Sequence, residues 1–165
     1  MLTSIVYWTV IRPGLGFRMH LAGNDAGLMR ASSIESTVEF IENPGWIQDD
    51  RHPLLLDAAS QLRAYFAGRL REFDLPLILE GTAFEKQVWE AVRAIPFGER
   101  RSYGAVAAMV GRPRAARAVG TANRNCPIGI LIPCHRVVAA GGLGGFGGRE
   151  DVKQKLLDFE ANQLE

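Results

Sequence analysis

Three residues that suit covalent chemistry stand side by side at Cys134, His135 and Arg136, after the apolar run 129–133. A cysteine attacks as its thiolate, so a neighbouring base or cation favours its reaction. The dipeptide alone is weak evidence, because adjacent side chains on an extended segment point to opposite faces. A buried structural cysteine is the plain alternative. We expect the apolar run to be a strand that leads into a site, and the surrounding sequence decides which alternative holds.

Cysteine and histidine are otherwise sparse. Cys126 is the other of only two cysteines, and this number excludes the disulfide framework of small secreted proteins. We expect it to be a small packing residue in a turn. The three histidines, at positions 20, 52 and 135, are widely separated, and no Cys/His metal cluster can be recognised. The sequence therefore predicts no metal.

The charge of the chain is unevenly distributed. Residues 1–80 carry a net charge of −3 and residues 81–165 one of +4. Between positions 100 and 149 there are eight arginines and no acidic residue. Such a run is often only a solvated basic surface. Fifty residues without a carboxylate nevertheless favour a polyanionic partner, which would bind in a salt-sensitive way.

Composition and length bound the class of protein. With 165 residues, of which 47% are hydrophobic and 22% charged, the chain suits one compact unit or two small domains. No apolar run approaches the roughly 20 residues of a membrane span. Residues 1–4 lack the basic start and long apolar core of a secretion signal. We therefore expect a cytoplasmic protein that does not bind membranes, and we expect it to be a monomer.

The first half of the chain has the signals of a small α/β domain. Residues 4–11 are β-prone and a turn follows at 13–16; residues 17–22 form a second predicted strand, 23–25 a hairpin turn, and 28–34 a third strand. Apolar spacing predicts a helix over 54–67, ended by Gly68. We place this domain at residues 1–76 and a linker at 77–82.

Helical periodicity dominates residues 83–165, the second predicted domain. A first helix extends from Thr82 to the break at Pro96. Ser102 is a candidate N-cap for a helix over 103–110, a turn follows at 111–113, and another helix is predicted over 114–124. Two short helices joined by a tight turn form the helix-turn-helix pattern, whose second helix enters a DNA groove. Such pairs also occur in ordinary helix bundles, but the basic run favours DNA.

The motifs of the second half resemble, in order and spacing, those of the O6-alkylguanine-DNA alkyltransferases. Ile132-Pro133-Cys134-His135-Arg136-Val137 is similar to the active-site signature of this family. The likeness also includes Ser102-Tyr103-Gly104, Arg117-Ala118-Val119-Gly120, the glycine-rich turn 141–148 and Lys155-Leu156-Leu157-Asp158-Phe159-Glu160. It covers about residues 82–160. In the first half it is faint, mainly at residues 62–68.

The resemblance implies a fold and a function. The fold would be a ribonuclease-H-like N-terminal domain with a small antiparallel sheet, then a mostly helical domain with the helix-turn-helix. The function would be transfer of the alkyl group from O6-alkylguanine, and from O4-alkylthymine, in double-stranded DNA to Cys134. The alkylated base would be extruded from the stack. No cofactor would be needed, and each molecule would be consumed, because a thioether is a poor leaving group.

The resemblance also implies roles for individual residues. Cys134 would be the nucleophile, His135 would take its proton through a bound water, and Glu160 would orient His135. Tyr103 would donate a hydrogen bond to N3 of the leaving guanine, and Arg117 would fill the space that the base leaves. The other implied residues are Arg112, Arg114, Gly104 and Ala140 as DNA contacts and Val137, Phe146, Gly147 and Asn125 as the substrate pocket.

Three positions depart from the family pattern. Cys126 stands where asparagine is common, and it cannot supply the two donors of an amide, so Asn125 or backbone groups must brace the turn. Phe146 replaces a usual tyrosine, and Gly147 a residue that often carries a hydroxyl. The zinc site of some relatives cannot be carried over, because no cysteine precedes Cys126.

Two alternatives of other classes remain open at this point. One is a lesion-binding relative or helix-turn-helix regulator without catalytic activity, which would lack the nucleophile. The other is a cysteine hydrolase, which usually has its base far from the cysteine in sequence.

Overall fold

The computed structural model describes residues 4–32 and 43–165. The chain separates into two compact units. The first contains the residues up to Glu80 together with 127–129, and the second contains 81–126 and 130–165.

A four-stranded sheet with one helix forms the first unit. The strands are β1 (Val6–Gly14), β2 (Phe17–Asn24), β3 (Gly27–Ser32) and β4 (Trp46–Gln48), in the order β3-β2-β1-β4. Helix α1 (Pro53–Phe66) packs on β1 and β2 with its buried side chains, and it ends before Gly68 with φ of +72°. The first three strands pair antiparallel, but β4 is parallel to β1. The sheet is therefore mixed, whereas the sequence predicted an antiparallel one. The hairpin signals in the sequence do not reveal β4, because a parallel pair needs a crossover connection.

The end of the first strand differs from the prediction. β1 continues through Pro13 to Gly14, with an irregular register between Ile11 and Gly14. A proline is tolerated in a strand at such an irregularity, so the predicted end at residue 11 is wrong. The predicted third strand extended to residue 34; β3 includes Ser32, and residues 33 and 34 lie outside the described residues, as do residues 1–3.

Short backbone segments pair with β3 on the side that faces away from β2. The amide of Leu28 donates to the carbonyl of Pro76, and the amide of Ile78 donates back to Leu28, both at 2.8 Å. Ile128 forms a further parallel bridge with Ala31. Within the predicted linker 77–82, the first two residues therefore belong to the edge of the sheet.

Helices make up most of the second unit. They are α2 (Ala83–Arg93), α3 (Tyr103–Met109), α4 (Ala116–Arg124) and α5 (Glu150–Asn162), with a 3-10 turn at Cys134–Arg136 and the short parallel strands β5 (Arg101–Ser102) and β6 (Val137–Val138). Thr82 and Glu85 form a capping box at the start of α2, and Ser102 caps α3 as predicted. Helices α3 and α4 pack against each other and against α2. No helix of the described ranges is long and apolar enough to cross a membrane.

Two features of this unit were predicted wrongly. Helix α4 begins at Ala116, not at residue 114, because Ala115 donates to Arg112 and closes a turn around Pro113. The apolar run 129–133 was predicted to be a strand, but it does not form one. Ile128, just before the run, makes only an isolated bridge. Ile130 has φ of +71°, which turns the backbone out of the extended conformation.

Candidate active site

Cys134 begins the 3-10 turn and is buried, with 6% of its surface exposed. Its thiol is not in a disulfide. The side-chain amide of Asn123, in the last turn of α4, donates to the carbonyl of Cys134 at 3.0 Å. The turn that carries the cysteine is thus fixed directly to α4.

Glu160 joins His135 and Arg136 in a fully buried cluster. Nε2 of His135 lies 2.8 Å from Oε1 of Glu160. Nη2 and Nε of Arg136 donate to the two carboxylate oxygens at 2.8 and 3.0 Å, and Nη1 donates to the carbonyl of Ile95 at 2.6 Å. The amide of Gly98 supplies another donor to Oε2, at 3.1 Å. The carboxylate is therefore fully hydrogen-bonded, as a buried charge requires.

The electrostatics of this cluster fix the proton on His135. Burial holds the pKa of His135 below its ordinary value, so the ring is neutral. Burial alone would raise the pKa of Glu160, but hydrogen bonds from His135 and Arg136 hold it well below its ordinary value. A carboxylate only accepts, so Nε2 carries the proton and Nδ1 is the acceptor. Nδ1 is buried and has no hydrogen-bond partner among the described residues, which leaves it available to take a proton.

The thiol of Cys134 is activated despite its burial. A hydrogen bond from the Cys126 side chain is the largest influence that lowers the pKa of Cys134. Burial opposes this effect, while the charge of Lys153 and the backbone amides of Cys134 and His135 add to it. The lowered pKa raises the fraction of the nucleophilic thiolate.

Lys153, which the sequence analysis missed, connects Cys134 to the aromatic residues of the site. Its side chain is fully buried, and its ammonium group donates to the carbonyl of Gly145 at 3.3 Å. The same group lies 5.7 Å from the ring centre of Tyr103 and 5.8 Å from that of Phe146. A lysine among buried positions of α5 such as Val152 and Leu156 was the available signal. Arg136 was singled out beside the Cys-His pair, but its ion pair with Glu160 was not predicted.

The Tyr103 hydroxyl faces the glycine-rich turn and donates to the carbonyl of Gly145 at 3.4 Å. Burial, and secondarily the negative charge of Cys134, raises the pKa of Tyr103, so the hydroxyl keeps its proton. A Cβ at Gly144, where φ is +75°, would lie 2.8 Å from the hydroxyl oxygen. Glycine at this position therefore permits the close approach of the turn to Tyr103.

The basic run contains fewer free charges than its sequence suggests. Three of its eight arginines form ion pairs: Arg101 with Glu99, Arg149 with Asp151, and the buried Arg136 with Glu160. The other five are exposed and have no ion pair within the described ranges; they are Arg100, Arg112, Arg114, Arg117 and Arg124. The guanidinium of Arg112 lies 5.3 Å from the ring centre of Phe84. Arg114 precedes α4 and Arg117 lies in its first turn.

The remaining predicted residues occupy different environments. Gly104, at the start of α3, and Ala140, after β6, are exposed, and Gly147 is exposed with open space around it. Val137 is fully buried. Asn125 is exposed and its amide donates to Glu85 at 2.9 Å, so it braces the end of α4 against α2. Its predicted place in the substrate pocket stays a prediction.

Both halves of the chain match family models. Residues 83–162 match the DNA-binding domain of 6-O-methylguanine DNA methyltransferase, and residues 6–79 match its ribonuclease-like domain. The chain is 42% identical over 160 residues to the methylated-DNA–protein-cysteine methyltransferase of Methanosarcina barkeri, covering 96% of this chain and 99% of that protein. It is 47% identical to the protein of the same name from Mycolicibacterium paratuberculosis, covering 94% and 92%.

A solved structure of Mycobacterium tuberculosis OGT in complex with DNA is similar in fold, with a TM-score of 0.86 and 42% identity. The alignment covers 95% of this chain and 94% of that one. With both family models matched in order and relatives aligned over nearly the whole length, the chain belongs to the 6-O-methylguanine DNA methyltransferase family.

Proposed function

We propose that this protein repairs alkylated DNA directly, by moving the alkyl group from O6 of guanine, and from O4 of thymine, to Cys134 in a single turnover. The observation that carries this proposal is a buried thiol of lowered pKa next to a neutral histidine held by a carboxylate. This arrangement lies in the same unit as a helix-turn-helix with unpaired exposed arginines.

The first chemical step is loss of the thiol proton. His135 takes it on Nδ1 through a bound water, and the negative Glu160 stabilises the imidazolium that results. The thiolate then attacks the alkyl carbon; the S–C bond forms as the C–O6 bond breaks, and the electron pair goes to the guanine. Lys153 stabilises the thiolate before attack, because its cation lies within electrostatic range.

The leaving base requires a donor and a route out of the duplex. Tyr103, which keeps its proton, donates toward N3 of the guanine and stabilises the charge that develops there. The weak bond of its hydroxyl to Gly145 is readily exchanged for this one. The base reaches the site by leaving the stack, and Arg117 occupies the space it vacates.

The remaining contacts divide into a DNA surface and a pocket. Arg112 and Arg114 contact backbone phosphates, and the small exposed residues Gly104 and Ala140 allow the DNA backbone to approach closely. Val137, Phe146 and Gly147 line the pocket for the base. The protein works as a monomer, since the groups proposed for transfer all lie in one unit of one chain. The proposed repair of DNA places it in the cytoplasm.

Incubation with a duplex oligonucleotide that contains one O6-methylguanine tests the proposal. We expect the protein to gain one methyl group, mapped to Cys134 by mass spectrometry, and the oligonucleotide to become unmodified guanine. A protein that stays unmodified while the lesion persists would contradict it. Release of products with sustained turnover would favour a hydrolase instead.

A further inference from the structure

His135 and Arg136 share one carboxylate oxygen of Glu160. Nε2 of His135 lies 2.8 Å from Oε1, and Nη2 of Arg136 donates to the same oxygen at 2.8 Å. Nε of Arg136 donates to Oε2 at 3.0 Å and to Oε1 at 3.2 Å. The guanidinium therefore contacts both oxygens of the carboxylate, whereas the imidazole contacts only one of them.

The position of Arg136 is fixed from two further sides. Nη1 donates to the carbonyl of Ile95 at 2.6 Å, and the guanidinium carbon lies 5.7 Å from the ring centre of Phe97. The side chain of Arg136 is 6% exposed and that of Glu160 is 1% exposed. Solvent screens a pair at this depth very little, and a guanidinium does not lose its proton in a protein. The carboxylate of Glu160 thus always has a cation beside it.

We propose that Arg136 controls the protonation of His135, because it neutralises Glu160 and so removes the charge that would hold a second proton on the ring. The inference rests on the proposed role of His135 as the base. A base must be neutral to accept the proton of Cys134, and a carboxylate without another cation would favour the imidazolium. Arg136 therefore keeps the ring neutral before the reaction, while the carboxylate still orients it.

The other charged groups around His135 act in the same direction. Helix α5 buries two charged side chains, Glu160 and Lys153, and the charge of Lys153, like that of Arg136, disfavours the imidazolium. Two cations and one anion therefore face the ring. Removal of the cation in direct contact with Glu160 should abolish this excess of positive charge.

Helix α2 packs on the same 3-10 turn but supplies no buried charge. Its buried residues are apolar, and they are Val88, Trp89 and Val92. Its charged residues are not buried, and they are Glu85, Lys86, Glu90 and Arg93. The balance of charge at His135 is therefore set by α5 and by the turn itself.

Three substitutions of Arg136 separate its charge from its size and its hydrogen bonds. Arg136→Met removes the charge and keeps an unbranched chain. Arg136→Gln also removes the charge but keeps an amide donor for the carboxylate. Arg136→Lys keeps the charge and loses the fork of donors. A merely structural role would make all three variants differ from the wild type alike, whereas control of protonation depends on the charge, so lysine should restore it.

The protonation of His135 is measured by NMR of protein with 15N-labelled histidine, titrated from about pH 5 to 8. In the wild type and in Arg136→Lys we expect a neutral ring with the proton on Nε2 throughout. In Arg136→Met and Arg136→Gln we expect the ring to become protonated within this range, at a pH at least about one unit above the wild-type value. His20 and His52 lie in the first unit and should titrate alike in all four proteins.

A ring that stays neutral in both uncharged variants, or that becomes protonated equally in Arg136→Lys and Arg136→Met, would overturn the proposal. So would an imidazolium in the wild type at neutral pH, a result that needs no variant to fold. The titration uses no DNA, so it tests Arg136 even if the wild type transfers no methyl group and the proposed function fails. Where transfer occurs, the acidic limb of its pH–rate profile should move to higher pH in the two uncharged variants and not in Arg136→Lys.

Discussion

Cys134 must ionise in a place that water hardly reaches. Burial by itself would raise the pKa of a thiol and leave it inert. Hydrogen bonds and the charge of Lys153 reverse this effect, so the pKa of Cys134 is lowered. Activation of the nucleophile is thus a property of its neighbours, which lie in the turn after α4, on α5 and in the 3-10 turn.

Replacement of the nucleophile by serine tests its identity. We expect Cys134→Ser to lose methyl transfer below detection, because a serine hydroxyl is far harder to ionise than a thiol. Binding to a methylated duplex should persist, since the exposed arginines are unchanged. Gel-shift titration and mass spectrometry measure the two properties. In the wild type Cys126 provides an internal control, and a methyl group mapped to it would contradict the assignment.

Glu160 should make folding sensitive to acid. Its folded pKa lies below the ordinary value of 4.5, so its stabilisation is fully present above about pH 4.5 and is lost as the pH falls through the folded pKa. Glu160→Gln leaves the buried Arg136 without a counter-charge, and we expect a loss of about 3 kcal/mol in the free energy of unfolding at pH 7. Urea titrations of both proteins measure this difference. It should shrink as the pH falls below about 4.5, and a difference independent of pH would contradict the ionic role.

The sequence indicated the residues that are proposed to carry out the reaction, but it did not indicate the neighbouring residues that influence them. Cys134, His135 and Glu160 could be grouped through the resemblance, and His135 and Glu160 are in contact. Lys153 could not be assigned to this group from the sequence. A lysine in a helix is normally exposed, and the direction of its side chain depends on tertiary packing. Cys126 was expected only to pack, because nothing local indicates which side chain it meets.

Helix α4 has exposed arginines at both ends, Arg117 in its first turn and Arg124 in its last. We expect Arg117→Ala to slow repair of a methylated duplex at least tenfold but to leave reaction with the free modified base unchanged, because its proposed role is to stabilise the extruded state. Arg124→Ala removes the same charge from the same helix. The only effect of Arg124→Ala should be weaker binding to the duplex, and the size of this effect should depend on the salt concentration. Equal losses on duplex and free base in Arg117→Ala would assign this residue to the fold instead.

The glycine-rich turn positions Tyr103 through Gly144. A methyl group at Gly144 would lie 2.8 Å from the tyrosine hydroxyl oxygen and 3.1 Å from the amide of Ala139, at a φ of +75°. We expect Gly144→Ala to lower the free energy of unfolding by about 1–2 kcal/mol and to slow methyl transfer. Gly141→Ala, with nothing within 4 Å of its Cβ, is the control. Thermal unfolding and single-turnover rates measure both variants; if the two behave alike, the turn does not position Tyr103.

Helices were predicted more accurately than strands, for physical reasons. The caps at Thr82 and Ser102 are local signals, and both are present. The parallel strand β4 depends on a partner about 40 residues away, and the 3-10 turn at Cys134 depends on the conformation of Ile130. Neither dependence is visible in a short window of sequence.

Two buried cations of the second unit each interact with an acidic group. Arg136 is neutralised by Glu160, and Lys153 faces the sulfur of Cys134. Alkylation converts that sulfur to a neutral thioether and consumes the protein at once. The reaction therefore changes the electrostatics of the core as well as the state of the nucleophile.

Two consequences for the whole protein follow from this change. Repaired guanine should rise linearly with protein and level off at one lesion per chain, because no second nucleophile clears the thioether. At a pH alkaline enough to ionise Cys134, the methylated protein should unfold about 2–4 °C lower than the unmodified one, since about 1 kcal/mol is lost when the buried Lys153 has no thiolate to face. Scanning calorimetry before and after reaction measures this shift.

The matched control for the stability change is Lys153→Met, which keeps an unbranched side chain, shorter by one atom, and removes its charge. In this variant methylation of Cys134 should leave Tm nearly unchanged, because no cation then depends on the thiolate. The variant is expected to react slowly, so labelling must be driven to completion before the scan. An equal fall of Tm on methylation in both proteins would attribute the destabilisation to crowding by the added methyl group, and not to the lost charge pair.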